Sequence, residues 1–276
     1  MMEYKAAVLQ MHTTKSKAHN LDAVSRMVRT AAENGATLVS LPETMNIIDE
    51  AGIDVSEPIP GETTGLLAAL SKQYNVWIHG GSITEHNGHG GKPYNTTVMI
   101  SPSDGIIAKY RKLHLFDVDI DGGVRSKESD QTSKGDAIVV ADAPIGRLGF
   151  SICYDIRFPE LYRAMALLGA QVVFVPADFT YKTGNLHWEV LLRSRAIENN
   201  CFIVAAGQCG TNARMRAYGH SMVIDPNGRV LAQLDEDEGI AYAPIDLGAI
   251  EDVKRQIPSL ENRREDLYTL RYHGRE

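Results

Sequence analysis

The stretch "ENGATLVSLPET", residues 33 to 44, recurs in altered form as "LLGAQVVFVPAD", residues 167 to 178. Both contain the end of a predicted helix, the pair Gly-Ala, four to five residues typical of a buried strand, and then Pro and a polar residue. Each copy is preceded by a strand pattern and a helix pattern, so each belongs to a strand–helix–strand unit. Strand–helix–strand crossovers place helices on the faces of sheets. The sequence therefore predicts an α/β fold with two related strand–helix–strand halves.

The first half of the chain alternates strand and helix patterns. Apolar residues recur at helical spacing within residues 13–35, and Gly35 is a typical stop signal. A second helix is predicted over residues 63–74. Two further strands, at residues 94–100 and 105–115, are joined by the turn sequence "SPSDG" and predict a hairpin. The pattern thus moves from strand–helix units to hairpins.

Length and composition are those of an ordinary globular protein, with 276 residues, 43% hydrophobic and 23% charged. A chain of this size can bury a large core as one domain. No linker-like or low-complexity segment interrupts it. We therefore expect one domain over residues 1–276, with a core at about 4–246 and a C-terminal helix and charged tail at 247–276. The polar segment 117–136 is long enough to predict a functional or disordered loop.

Charge and cysteine usage exclude several classes of partner. A net charge of −7 provides no basic surface for nucleic acid, and no apolar run has the length that a membrane span needs. The three cysteines show no CxxC spacing, which argues against a disulfide scaffold or zinc ribbon. His79, His86 and His89 match no common metal-ligand pattern and predict a surface hairpin instead. We expect a cytoplasmic protein with no metal and no cofactor.

Cys153 lies in "GFSICYDIRFPE", where a predicted strand from Gly149 to Cys153 runs into a helix predicted to begin at Asp155. Glu43 and Asp178 also follow buried strands, and sites in such sheets collect where strands end. A thiol needs a base or a positive charge to become a good nucleophile. Glu43 is the candidate base. Lys112 is the candidate cation, and it would also stabilise a tetrahedral oxyanion.

Structural interpretations remain open beside this one. A single cysteine in an apolar strand is usually a core residue, and we expect that of Cys201 and Cys209. Glu43 could cap a turn, and Lys112 could be an edge-strand lysine with a buried stem. A catalytically silent oligomeric scaffold or a thiol sensor is the alternative from another class. The absence of a nearby resolving cysteine around Cys153 argues against redox chemistry.

Three motifs carry a family resemblance. "SLPET", "YRKLHLFD" and "SICYDIRFPE" resemble the Glu, Lys and Cys signatures of the nitrilase, or carbon–nitrogen hydrolase, superfamily, in the family's order. The likeness covers roughly residues 4 to 246. It implies a four-layer α-β-β-α sandwich that is usually a dimer or larger. It also implies a metal-free Cys-Glu-Lys mechanism on an amide or a nitrile.

The resemblance assigns a role to each matching residue. It implies that Cys153 attacks the carbonyl carbon and that Glu43 acts first as general base and then as acid. Lys112 and the backbone N–H of Tyr154 would hold the oxyanion. Glu128, in "SKESD", matches a second family glutamate that orients the lysine and the substrate amide.

The segments "AAGQCG" and "YGHSMV" look most like the amidase branch, with deaminated glutathione as the leading substrate. Activity on α-ketoglutaramate or α-ketosuccinamate, as in the ω-amidases, and N-carbamoyl hydrolysis remain open. A keto acid amide needs a cation for its carboxylate, and Arg157 is the candidate. The structural alternative for Arg157 is an ion pair with Asp155 or Glu160. Phe179, Thr180 and Tyr181 would line the acyl pocket. "DIDGG", residues 119–123, departs from the proline-containing family pattern.

Overall fold

The computed structural model describes residues 3–48, 54–120, 124–212 and 214–271. Over these residues, the strands are β1 (Glu3–Gln10), β2 (Leu38–Ser40), β3 (Trp77–His79), β4 (Ile83–Glu85), β5 (Tyr94–Ser101), β6 (Gly105–Arg111), β7 (Asp117–Asp119), β8 (Arg125–Lys127), β9 (Val140–Ala143), β10 (Gly146–Phe150), β11 (Val172–Phe174), β12 (Phe202–Ala205), β13 (Met222–Ile224), β14 (Val230–Gln233) and β15 (Gly239–Asp246). The α-helices are α1 (Lys17–Glu33), α2 (Glu62–Tyr74), α3 (Pro159–Leu167), α4 (Tyr181–Asn199) and α5 (Gly248–Gln256). Two 3₁₀ helices span Glu128–Asp130 and Cys153–Arg157.

The strands form two main sheets with the same plan. In the first, β1, β2 and β3 are parallel neighbours in the order β15-β1-β2-β3-β5-β4, with β6 paired to β5. The second has the order β14-β13-β12-β11-β10-β9, and β10, β11 and β12 are parallel. The units β1-α1-β2-α2-β3 and β10-α3-β11-α4-β12 therefore correspond. This confirms the two related halves.

Strand β1 shows how the sheets are layered. Ala6 and Val8 belong to the cluster shared with the second sheet, whereas Ala7 and Leu9 pack with α1 and α2. Successive strand residues point to opposite faces, so an uninterrupted apolar strand is buried on both sides. On the far side of the second sheet, Trp188 and Leu192 of α4 complete the core. The layers are helix, sheet, sheet and helix, which confirms the predicted α-β-β-α sandwich.

His79 lies at the contact between the two sheets, so its predicted place in a surface hairpin was wrong. Its ring nitrogens are 2.9 Å from the Ser40 hydroxyl and 2.8 Å from the Thr97 hydroxyl. The ring also stacks on Phe174 of the second sheet at a centroid distance of 4.5 Å. Burial lowers the pKa of His79 to about 3, which keeps the ring neutral. It is a satisfied core histidine.

The segment that carries the cysteine differs from its predicted form. Strand β10 ends at Phe150, before the predicted end at Cys153, and the residues from Cys153 form a 3₁₀ turn. The following α-helix begins at Pro159 rather than Asp155. Proline suits the first turn of a helix but moves the preceding residue out of the α region, and Phe158 has φ −109° and ψ 89°. Pro159 therefore separates the two helical segments.

The described parts of the segment 117–136 contain regular structure, which a plain loop would not have. Strands β7 and β8 form a small antiparallel sheet, and the 3₁₀ helix Glu128–Asp130 follows at once. Residues 121–123 of the unusual "DIDGG" sequence lie outside the described residues. At the other end of the chain, α5 supplies the predicted short helix. None of the described helices is long and apolar enough to cross a membrane.

Candidate active site

Glu43 follows β2 and is held from three sides. Its Oε1 accepts hydrogen bonds from Lys112 Nζ at 3.0 Å and Asn95 Nδ2 at 2.8 Å. Its Oε2 accepts the backbone N–H of Asp178 at 2.8 Å, and its main-chain oxygen accepts Gln208 Nε2 at 2.7 Å. Burial acts to raise the pKa of Glu43, but Lys112 and the hydrogen bonds outweigh it and lower that pKa. Glu43 is an ionised carboxylate at neutral pH.

Lys112 lies just beyond β6, with only 2% of its side chain exposed. Its Nζ is 3.0 Å from Glu43 Oε1 and 3.0 Å from Glu128 Oε2. Burial acts to lower the pKa of Lys112, but the two carboxylates raise it well above the usual value. The structural alternative of an edge-strand lysine fits Lys109 instead, whose Nζ pairs with Glu85 at 2.9 Å. Lys112 is a buried ammonium between two carboxylates.

Glu128 begins the 3₁₀ helix that follows the β7–β8 hairpin. Its Oε2 accepts the backbone N–H of Phe116 at 2.6 Å as well as Lys112 Nζ. Its own backbone N–H donates to Phe116 O at 3.4 Å. These bonds tie the helix to the segment that follows the lysine. Glu128 therefore contacts Lys112, as its expected orienting role requires.

Cys153 is the first residue of the 3₁₀ turn and has φ 47°, in the left-handed region. A residue with a Cβ pays roughly 1–2 kcal/mol there. Its backbone N–H donates to Pro176 O at 2.8 Å, which fixes the turn against the end of β11. The thiol lies within hydrogen-bonding reach of the Glu43 carboxylate. Such strained positions cluster at functional sites.

The thiol of Cys153 is neutral in the resting site. Burial is the largest cause that raises its pKa, the neighbouring Glu43 raises it further, and Lys112 opposes the two. The resting charges are therefore a thiol, a carboxylate and an ammonium. An acceptor for the thiol proton stands beside it, so the arrangement favours general-base activation at the moment of attack over a preformed thiolate.

We predict that the ultraviolet absorbance of a thiolate will be missing at neutral pH. A difference spectrum between the wild type and Cys153→Ala should show no thiolate band below about pH 8.5, the ordinary pKa of a thiol. The same comparison with Cys201→Ala controls for the other buried thiols. A band that develops between pH 5 and 7 would mean a preformed thiolate and would contradict this charge state.

Asp155 joins the cysteine segment to the lysine segment, a role that sequence reasoning missed. Its fully buried carboxylate accepts Tyr110 Oη at 2.7 Å and Ile152 N at 2.8 Å on one oxygen. The other oxygen accepts His114 N at 3.0 Å and lies 2.7 Å from His114 Nδ1. Tyr110 and His114 flank Lys112, and Ile152 precedes Cys153. One carboxylate therefore sets the spacing between the ammonium and the thiol.

A cavity of about 880 Å³ opens above these residues. It is lined by Glu43, Lys112, Glu128 and Cys153, and by four of the five residues predicted to bind substrate: Tyr154, Arg157, Phe179 and Thr180. Among the described lining residues Tyr181 is not found. Its hydroxyl donates to Glu236 at 3.2 Å, and the Arg216 guanidinium lies 3.8 Å from its ring centroid. Tyr181 begins α4 and is directed away from the cavity.

Arg157 is a cation of the cavity wall. Its Nη1 is 3.3 Å from His187 Nδ1, and its guanidinium lies 5.3 Å from the Phe179 ring centroid. Within the described part of the chain no carboxylate pairs with it. Asp155, one of the two partners considered from the sequence, is occupied by His114 and Tyr110. The guanidinium is therefore available to an anion in the cavity.

Asp178 is a further acid in the cavity wall, 9% exposed. Burial and the nearby Glu43 raise the pKa of Asp178 to about 7, and Arg214 and the hydrogen bond from Asn212 oppose them. In the unfolded chain the pKa of an Asp is about 3.9. Between these values the folded protein binds a proton that the unfolded chain has lost. Stability therefore falls as the pH rises from about 4 to about 7.

We expect Asp178→Asn to stabilise the protein more at pH 8 than at pH 5, because the amide cannot ionise. Between pH 5 and pH 8 the difference in the free energy of unfolding should grow by up to about 3 kcal/mol. Urea unfolding of both proteins at both pH values measures it. Asp142→Asn, at an exposed acid, is the control. A gain that is equal at pH 5 and pH 8 would mean that Asp178 does not titrate in this range.

Comparison with known proteins places the chain in a family. Residues 5–255 match the carbon–nitrogen hydrolase family. The chain is 39% identical over 273 residues to omega-amidase NIT2 of Danio rerio, covering 98% of each chain. The crystal structure of the C. elegans NitFhit protein superposes with a TM-score of 0.92 at 39% identity, over 99% of this chain and 68% of that one. Saccharomyces cerevisiae Nit3, a member of the nitrilase superfamily, superposes with a TM-score of 0.84 at 32% identity, over 95% and 97% of the two chains.

The chain belongs to the carbon–nitrogen hydrolase family. The prediction of a hydrolase of the amidase type from the nitrilase superfamily is confirmed by this match and by the full-length relatives. The alternative of a silent scaffold or thiol sensor finds no support in them.

Proposed function

We propose that the protein hydrolyses the amide bond of a small α-keto acid amide through a thioester on Cys153. The observation that carries the substrate class is the Arg157 guanidinium, which lines the cavity without a carboxylate partner among the described residues. Deaminated glutathione and α-ketoglutaramate have the same acyl group, and this acyl group carries an α-keto carboxylate. They differ only in the amine that leaves. The same cation can therefore hold the acyl part of either substrate.

Acylation follows from the resting charges. As the Cys153 sulfur attacks the amide carbon, Glu43 takes the thiol proton. The oxygen of the tetrahedral intermediate receives the negative charge. The ammonium of Lys112, which lies beside the Glu43 carboxylate, is the first donor to this oxyanion. The N–H of Tyr154 adds a second donor, since the first N–H groups of a helical turn have no acceptor within it. Glu43 then returns the proton to the leaving nitrogen, the C–N bond breaks, and a thioester remains.

Deacylation uses the same groups in the second half of the reaction. A water molecule takes the place of the departed amine, and Glu43 removes its proton as the oxygen attacks the thioester carbon. Lys112 again faces the developing oxyanion. When the intermediate collapses, the C–S bond breaks and the proton on Glu43 returns to the sulfur. The products are the acid, the amine and the regenerated thiol.

The volume of the cavity favours the larger of the two substrates. Its 880 Å³ falls within the range of pockets that hold drug-sized ligands. Deaminated glutathione has about twice as many non-hydrogen atoms as α-ketoglutaramate and would fill more of such a pocket. The similarity to relatives named omega-amidase supports the smaller amide instead. We place deaminated glutathione first and α-ketoglutaramate second, with N-carbamoyl amino acids as a further class for the test.

The test follows formation of the keto acid from deaminated glutathione and α-ketoglutaramate. It also follows release of ammonia from an N-carbamoyl amino acid and from butyramide, a neutral amide. In Arg157→Met we expect KM for the keto acid amides to rise about 10- to 100-fold, because one charge-assisted hydrogen bond to a carboxylate is lost. Arg147→Gln, at an exposed arginine paired with Asp142, is the control. Equal kcat/KM for the charged and neutral amides in the wild type would reject this substrate class.

We also infer a homodimer or larger homo-oligomer. Leu186, Val190 and Ile197 are 64%, 58% and 49% exposed on α4. A two-fold axis beside α4 would cover this apolar surface with its own copy in a second subunit. Sedimentation of the wild type should therefore show an assembly, and Val190→Glu should shift it toward monomer. A monomeric wild type at micromolar concentration would reject the inference.

We propose the cytoplasm as the location. All three cysteines are free thiols and buried, which fits a reducing compartment. Cell fractionation of the tagged full chain, with recovery in the cytosolic fraction, is the check. Recovery in an oxidising compartment would reject it.

A further inference from the structure

One wall of the cavity is formed by the turn that carries Asn212, Arg214 and Met215. Arg214 and Met215 line the cavity together with Phe179 and Thr180. The Asn212 side chain organises this turn, because its Oδ1 accepts the backbone N–H groups of Arg214 at 2.9 Å and Met215 at 3.0 Å. The side-chain amide of Asn212 therefore fixes the position of the Arg214 backbone.

The other end of the same amide is fixed to Asp178. Asn212 Nδ2 donates to Asp178 Oδ1 at 3.3 Å and to Oδ2 at 3.1 Å. The backbone N–H of Asp178 donates to Glu43 Oε2, which joins this chain of contacts to the catalytic carboxylate. The contacts run from Glu43 through Asp178 and Asn212 to Arg214.

The chemistry derived above gives Asp178 no step, yet its position is costly. Its charge acts to raise the pKa of Cys153, and Glu43 lies close to it. A buried carboxylate beside another carboxylate is unfavourable unless it is paired and hydrogen-bonded. Its compensation comes from Asn212 and from the positive charge of Arg214. The acid therefore attracts Arg214 to the wall as well as fixing the turn.

We propose that Asp178 is a positioning residue which, through Asn212, places Arg214 in the cavity wall as a second cation for the acyl group of the substrate. The inference rests on the proposed function. An α-keto carboxylate presents three oxygen acceptors, and the bidentate fork of one guanidinium pairs with two of them side by side, which leaves acceptor capacity for a second cation. Arg157 and Arg214 line the same cavity and can engage it together. The pair would select acyl groups that carry a carboxylate over neutral ones.

The test measures kcat and KM for α-ketoglutaramate and for butyramide in Asp178→Ala, Asp178→Asn, Arg214→Met and the double variant Asp178→Ala/Arg214→Met. We expect Arg214→Met to lower the kcat/KM ratio of charged to neutral amide at least about tenfold, mainly through KM. Asp178→Ala should lower this ratio to a similar extent. Asp178→Asn, which keeps an oxygen for Asn212 Nδ2, should restore much of it. Arg216→Met is the matched control, since Arg216 pairs with Glu236 outside the cavity.

The double variant separates positioning from a general structural effect. If Asp178 acts through Arg214, the double variant should have the same substrate ratio as Arg214→Met alone. The inference is overturned if the two losses multiply, or if Asp178→Ala lowers kcat equally for both amides. If the wild type prefers the charged amide and Arg214→Met retains that preference, the inference about Arg214 is wrong while the proposed function stands. A wild type without any preference rejects the proposed function, and the inference with it.

Discussion

Cys153→Ala should lower kcat/KM for the best amide at least about a thousandfold, since loss of the nucleophile removes the covalent route altogether. The fold should survive the change, because alanine has the same Cβ as cysteine and the thiol fills little of the core. Steady-state rates together with a thermal unfolding curve measure the two properties. Intact-mass spectrometry after rapid quenching should show the acyl adduct on the wild type and not on the variant.

The control for this result is Cys201→Ala. Cys201 is also buried, but it packs in the core, where its sulfur lies 3.8 Å from Arg195 O. We expect turnover close to that of the wild type and a small loss of stability from the cavity that is left. Equal rates in the wild type and Cys153→Ala would remove Cys153 from the mechanism, whatever the mass spectra show.

Lys112→Met should lower kcat about 10²- to 10³-fold, the usual cost of removing one donor to an oxyanion. The variant also leaves Glu43 and Glu128 buried without their shared cation. Breaking a buried ion pair from one side costs about 3–5 kcal/mol of stability. Without the ammonium the pKa of Glu43 should rise, so that a protonated Glu43 can no longer accept the thiol proton. The loss of rate should therefore be partly relieved at higher pH.

Two further variants separate the charge effects of Lys112. Lys109→Met removes a nearby lysine of β6 that pairs with Glu85. Glu85 still has Arg111 as a partner in this variant, so kcat should change little. Lys112→Met/Glu128→Gln removes one of the stranded carboxylates, so it should recover part of the stability but none of the rate. If the double variant recovers kcat as well, Lys112 serves only to neutralise Glu128 and its place at the oxyanion is wrong.

Much of the site could be predicted because its main residues follow apolar strands directly. Glu43 ends the pattern of β2, and Cys153 and Asp178 stand just past the ends of β10 and β11. The parallel pair β10 and β11 brings Cys153 and Asp178 to one edge of the second sheet, and Glu43 reaches them from the end of β2 in the first sheet. Glu128 was reached only through the resemblance, since nothing in its local pattern points to Lys112.

The rest depends on contacts between distant segments that carry no local signal. Asp155 meets His114 and Tyr110 across more than forty positions of sequence, and Asn95 reads as an ordinary strand residue until it is seen to donate to Glu43. The 3₁₀ turn at Cys153 is set by Pro159 and by the hydrogen bond to Pro176 O, rather than by helix propensity. Tyr181 was misplaced because Phe179 and Thr180, directly before it in the chain, do line the cavity.

The chemistry is divided between the two sheets, with Glu43 and Lys112 carried by the first and Cys153 and Asp178 by the second. The packing of the two sheets against each other therefore determines the distance between the Cys153 thiol and the Glu43 carboxylate. A shift of about 1 Å between reacting groups can cost about a hundredfold in rate. A core substitution at Phe174, where the second sheet meets His79, can thus leave the fold intact and still lower turnover. The rate of the reaction therefore depends on side chains that never touch the substrate.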